Sequence, residues 1–278
     1  MKTPLISAAE LRATSPAPLL LDCSFDLADP ALGEQAYGAG HLPGAIYVHL
    51  DRDLSGPKTG HNGRHPLRTR EAYADWMASL GITPTREVVV YDRQAGMFAA
   101  RAWWVLRWMG HAQVAVLDGG LDAWVRAGGQ LTTNVPAPSP ASPSPAARPA
   151  MPTIDAATLL SRLPGLRVLD ARAPERYRGD VEPLDRVAGH IPGARNRFFK
   201  DNLQPDGTFK PAGELRAEYE ALISGAREVV VQCGSGVTAC HDLLALELAG
   251  LGTATLYPGS WSEWSSDPSR PVERSATV

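Results

Sequence analysis

The chain has 278 residues, 27 Lys and Arg against 30 Asp and Glu for a formal net charge of −3, and is 44% hydrophobic and 21% charged. These proportions exclude disorder and collagen, and the interspersed, nearly balanced charge lacks the concentrated positive field a nucleic-acid backbone requires, so no nucleic-acid partner is expected. No stretch reaches the ~20 apolar residues of a membrane span, and the N-terminus lacks the apolar run of a signal peptide. Three unevenly spaced cysteines (Cys23, Cys233, Cys240) do not make a disulfide framework. A cytoplasmic protein without a membrane partner is the expectation, and at roughly 150 residues per domain it should hold two domains.

In chain order, LLLDC (19–23) reads as a buried strand, with Cys23 in the core. GHLPGAIYV (40–48) follows, where His41 is expected to fix a turn by hydrogen bonding. A helix is predicted from Thr69 through TREAYADWMASLG, with Gly81 ending it as a C-cap. EVVVYD (87–92) is a second buried strand ending at Asp92. MFAARAWWVLRWMG (97–110) is so densely apolar that its helix must be enclosed, with Trp103, Trp104 and Trp108 as packing residues. VLDGGLDAW (116–124) closes this region. VPAPSPASPSPAARPAMP (135–152) then loses amide donors and fixes φ at its prolines, and reads as a semi-extended tether.

Beyond the tether the same patterns return in the same order: RVLDAR, GHIPGARN, the helix GELRAEYEALIS, EVVVQC and TLYPGSWSEW. Gly40 corresponds to Gly189, and Asp92 to Cys233. A fixed order of repeated patterns signals an internal duplication. Short β-branched runs alternating with helical spacing predict an α/β fold in two tandem copies, each a parallel sheet flanked by helices, with a first domain over 1–134 and a second over 153–278.

The segment EVVVQ-CGSGVT-ACHDLLALELAG places Cys233 where a strand gives way, through a glycine-punctuated turn, to a helix. Gly234 and Gly236 allow the backbone amides of Gly234, Ser235, Gly236, Val237 and Thr238 to fold inward as a nest, and the helix adds its positive end. Both effects favour a thiolate at Cys233 and make it the expected nucleophile. Cys240, seven residues on, is expected in the core and directed along the helix away from the loop, and His241 is expected to pack or lie at the surface. A cysteine phosphatase would need Arg at the position of Ala239. GSGVTA also fits a dinucleotide fingerprint, but TATLYPG offers no acidic residue to complete it, and a phosphate-binding P-loop would need a Lys.

These residues resemble the tandem-domain rhodanese-like sulfurtransferases over essentially the whole chain: YGAGHLPGAIYV (37–48) and TLYPGSWSEW (255–264) look like that family's two signatures. The resemblance implies a catalytic second domain, a non-catalytic first domain with Asp92 in place of the nucleophile, and a Cys233 persulfide formed without metal or organic cofactor. The loop CGSGVT is similar to that of the branch acting on 3-mercaptopyruvate, whereas the thiosulfate branch carries Arg-Lys where this chain has Gly234 and Ser235. Arg176 falls at the family's substrate-binding Arg. Its second Arg, in an E-P-R string, is displaced here by EPLDR, where Arg186 is the candidate replacement. Asp51, His65 and Ser235 resemble a proton-relay set, and His190, like His41, is expected to fix a turn. The expected partners are a small-molecule sulfur donor and a thiol, cyanide or thioredoxin acceptor.

Overall fold

A computed structural model describes residues 3–143 and 149–275. Part of the proline-rich tether, residues 144–148, thus lies outside the described residues, and 135–143 holds no helix or strand. The chain packs as two units. One comprises Met1–Gly56, Arg68–Ala150 and Gln204–Phe209, and the other Pro57–Leu67, Met151–Leu203 and Lys210–Val278.

In the first unit, strands β1 (Leu5–Ile6), β2 (Leu19–Asp22), β3 (Ala45–Tyr47), β4 (Val88–Tyr91) and β5 (Val114–Leu117) form a parallel sheet in the order β1-β5-β4-β2-β3. Helices α1 (Ala8–Ala13), α2 (Ala31–Ala39), α3 (Arg70–Ser79) and α4 (Ala99–Trp108) connect them in turn, and α5 (Gly120–Arg126) follows β5. Every residue of β2, β4 and β5 is buried, as expected of strands covered on both faces. The Thr69 hydroxyl oxygen accepts from the Ala72 amide to start α3, and Gly81 takes φ +74° beyond its end. Trp103 and Trp104 are fully buried on α4 and Trp108 nearly so, and Cys23 is in the core.

The second unit repeats this plan with β6 (Arg167–Asp170), β7 (Arg195–Asn196), β8 (Val229–Gln232) and β9 (Thr255–Leu256), all parallel in the order β7-β6-β8-β9. Its helices are α6 (Ala156–Arg162), α7 (Pro174–Arg178), α8 (Ala212–Ile223), α9 (Ala239–Leu248) and α10 (Ser260–Trp264). Where β1 would stand, a single parallel bridge pairs Thr153 with Leu256. The duplication extends to side chains. His41 Nδ1 lies 2.8 Å from the Tyr37 carbonyl with its ring stacked on Tyr37, and His190 Nδ1 lies 2.7 Å from the Tyr177 carbonyl, stacked on Tyr177. Both histidines pin their turns. Among the described residues no helix is long and apolar enough to cross a membrane.

Candidate functional site

Cys233 follows β8 directly, and its side chain is buried, 2% exposed. The loop to α9 curls around it: the Gly236 amide donates to Cys233 Sγ at 3.2 Å. Gly236 takes φ +76°, and a Cβ there would lie 2.3 Å from the Pro258 carbonyl oxygen, so only glycine fits this bend. The turn before α10 fixes the loop from the other side. The Cys233 amide donates to Ser260 Oγ at 3.1 Å, while the Trp261 and Ser262 amides donate to the carbonyls of Cys233 and Gly234, each at 2.9 Å. Ser260 itself holds φ +54°, an uncommon conformation for a residue with a Cβ, and its hydroxyl in turn donates to the Tyr257 carbonyl at 2.9 Å. A strained residue at the Cys233 amide is the kind of feature functional sites retain.

Ser235 is buried, with Oγ 2.7 Å from His65 Nδ1. His65 belongs to the stretch Pro57–Leu67 of the second unit, although it falls inside the first sequence repeat. The adjacent Arg64 ties the stretch down: its amide donates to Ser262 Oγ at 3.0 Å and its guanidinium pairs with Asp185. Asp51 is half-buried in the first unit, where its amide donates to His49 Nδ1 at 3.1 Å.

Two guanidiniums crowd the residue after Cys233. A Cβ on Gly234 would meet Arg64 Nη2 at 2.8 Å and Arg176 Nη1 at 3.4 Å. Arg176, near the end of α7, pairs with Glu182 (Nη2 to Oε1, 2.6 Å) and lies 3.5 Å from Asp185 Oδ2. Arg186 is exposed, and the second guanidinium beside Gly234 is that of Arg64. The sequence clue was Arg64's place directly before His65.

Cys240 is in the core but does not point away from the loop: its Sγ donates to the Gly236 carbonyl at 3.4 Å. Counting helical turns from Cys233 misplaces it because residues 233–238 are not helical, and Cys240 is the second residue of α9. His241 is fully buried against Phe199, with Nδ1 3.3 Å from Asn202 Nδ2. It packs behind the helix rather than lying at the surface. Gly234, Ser235 and Val237 are buried in the loop, and Thr238 is half-buried at the start of α9.

The equivalent loop of the first unit is filled from within. Asp92 ends β4 fully buried, and its Oδ1 accepts from the amides of Gln94 and Gly96, its Oδ2 from those of Phe98 and Ala99, at 2.8–2.9 Å. Burial, the largest influence, pushes its carboxyl pKa up, and the four amides pull against it. A carboxylate thus accepts four loop amides at the position where, in the second unit, the Cys233 thiol accepts the Gly236 amide. The Leu121 amide donates to the Asp92 carbonyl at 2.9 Å, as Trp261 does to Cys233.

A parallel α/β unit whose strand-to-helix loop holds Cys233, repeated once in the chain with Asp92 at the equivalent place, defines a duplicated domain. The rhodanese-like domain family matches residues 7–127 and 155–267, and the chain belongs to it. A probable 3-mercaptopyruvate sulfurtransferase of Pseudomonas aeruginosa is 49% identical over 96% of this chain and 97% of its own length. A putative thiosulfate sulfurtransferase of Mycobacterium tuberculosis is 44% identical over 97% of this chain and 96% of its own. Among solved structures, the 3-mercaptopyruvate sulfurtransferase from Leishmania major superposes with a TM-score of 0.85 at 29% identity, over 95% of this chain and 74% of that one.

Proposed function

We propose that the chain is a sulfurtransferase that takes a sulfane sulfur from 3-mercaptopyruvate onto Cys233 and passes it to a thiophilic acceptor. The observation that carries this reading is the Gly236 amide 3.2 Å from Cys233 Sγ inside a glycine-bent strand-to-helix loop. The Cys233 thiolate attacks the donor sulfur, the carbon–sulfur bond breaks with its electron pair left on carbon, and the resulting pyruvate enolate takes up one proton. A Cys233 persulfide remains, its outer sulfur stabilised by preorganised amides. A thiol, cyanide or reduced thioredoxin then attacks that sulfur and releases the thiolate. These steps call on no metal or organic cofactor.

Arg176 is assigned the donor carboxylate, and its planar fork suits that anion. Ser235 and His65, 2.7 Å apart, are assigned to proton movement, with Asp51 as a further relay candidate. Arg186, being exposed, is a weaker candidate than Arg64 for the second cation. The first repeat, with Asp92 in its nest, is assigned a non-catalytic role. Free thiols suit a reducing compartment, and the cytoplasm is the proposed location.

Thiosulfate is the second reading of the donor. It is favoured by the two guanidiniums beside Gly234 and by the likeness to the putative thiosulfate sulfurtransferase of M. tuberculosis. Side-by-side steady-state kinetics with cyanide as acceptor separate the two: a higher kcat/KM for 3-mercaptopyruvate is expected, and a higher value for thiosulfate would overturn the donor assignment.

A further inference from the structure

The charges around Gly234 form one ladder. Asp170 pairs with Arg172 at 2.7 Å, Arg172 reaches Glu182 at 3.3 Å, Glu182 holds Arg176 at 2.6 Å, and Asp185 lies between Arg176 at 3.5 Å and Arg64. Three guanidiniums thus face three carboxylates, and the ladder as a whole is neutral. The two carboxylates that flank Arg176 differ in kind. Glu182 is saturated: besides two guanidiniums it accepts the Leu184 and Asp185 amides, which makes it the organiser of the 182–185 turn. Asp185 is not. Its Oδ1 accepts from Arg64, while its Oδ2 is buried and, among the described residues, accepts no hydrogen bond. An acceptor left unsatisfied beside two cations costs free energy, so Asp185 is not explained by hydrogen bonding alone. Its position supplies a negative charge next to the two guanidiniums that crowd the loop.

We propose that Asp185 is a specificity-determining residue: a built-in counter-charge that lets the Arg64–Arg176 pair accept a donor carrying one negative charge and penalises a dianion. This deepens the sulfurtransferase reading and rests on it for the identity of the reaction. 3-Mercaptopyruvate brings a single carboxylate, whereas thiosulfate brings two charges on a compact group, so Asp185 repels thiosulfate about twice as strongly. One unit of charge at contact-to-second-neighbour distance, at the effective dielectric of a partly buried site, corresponds to a discrimination on the order of tenfold.

The test compares wild type with Asp185→Asn, which keeps the shape and removes the charge. The ratio of kcat/KM for thiosulfate to that for 3-mercaptopyruvate should rise on the order of tenfold, and Asp185→Glu should return it toward the wild-type value. An unchanged ratio, including an equal fall for both donors as expected if Asp185 only positions Arg64, would overturn the proposal. Binding competition needs neither turnover nor the variant. In wild type, pyruvate should bind at least several-fold more tightly than sulfate by calorimetry, and sulfate binding as well as pyruvate contradicts the counter-charge even if Asp185→Asn does not fold. Failure of wild type to turn over either donor would instead remove the sulfurtransferase reading and leave the anion preference standing or falling on the calorimetry.

Discussion

Replacing Asp92 with Asn puts the filled nest of the first unit under direct strain. The carboxylate accepts four backbone N–H groups, two on each oxygen, at 2.8–2.9 Å in a fully buried site. The Asn amide keeps one acceptor oxygen and turns an NH2 group toward the other two donors, which are stranded. Each stranded buried donor costs about 1–3 kcal/mol, for a gross loss of about 2–6 kcal/mol. Removing a desolvated charge returns part of this, since burial is what pushes the Asp92 pKa up. A net loss of about 3 kcal/mol is expected. Urea unfolding followed through tryptophan fluorescence reads the total, because Trp103 and Trp104 lie on α4, which begins at the last of the four donors. Amide hydrogen exchange localises it: protection at Gly96, Phe98 and Ala99 should fall first. A variant within 1 kcal/mol of wild type with unchanged protection at these amides would refute the reasoning.

Three further outcomes follow from individual contacts. Gly236→Ala sets a methyl 2.3 Å from the Pro258 carbonyl oxygen at φ +76°, so it should lower stability by about 2 kcal/mol or more and slow sulfur loading at Cys233, read by thermal melting and by the time course of mass gain. Cys240→Ser can keep a hydrogen bond to the Gly236 carbonyl, and Cys23 lies in the core of the first unit, so both serine variants should retain most turnover while losing about 1–3 kcal/mol of stability, checked by steady-state rates beside urea midpoints. Burial pushes the Asp242 carboxyl up to about 7, against the Asn202 amide that donates to it at 2.7 Å. Unfolded Asp titrates near about 4, so the folded state holds the extra proton across that window and stability falls as pH rises from about 4 through about 7. Asp242→Asn should therefore gain at least about 1 kcal/mol on wild type between about pH 5 and 8, and parallel stability–pH curves would contradict this.

How far the sequence reveals this site depends on how far apart the partners are in the chain. The strand, glycine bend and helix around Cys233 are contiguous, and the turn-fixing roles of His41 and His190 follow from a motif that carries its own partner, Tyr37 or Tyr177, nearby. Arg64 was hidden because its loop, rich in polar residues, reads as solvated, while its partners Asp185 and Ser262 stand far along the chain. The Ser260 hydroxyl on the Cys233 amide is hidden likewise, since nothing local to the second signature says that its serine faces Cys233. The direction of Cys240 is hidden for a different reason: helical periodicity does not extend across residues 233–238, where the chain is a turn. The substitution at Asp92 was visible, but that its carboxylate saturates four amides depends on the loop closing back on the strand end.

The central claim is that Cys233 alone receives sulfur, and intact mass after incubation with 3-mercaptopyruvate, without acceptor, tests it most directly. Wild type should gain one sulfur atom per chain, lost again on adding cyanide, and Cys233→Ser should gain none. Sulfur retained by Cys233→Ser, or no gain in wild type with either 3-mercaptopyruvate or thiosulfate, would contradict it.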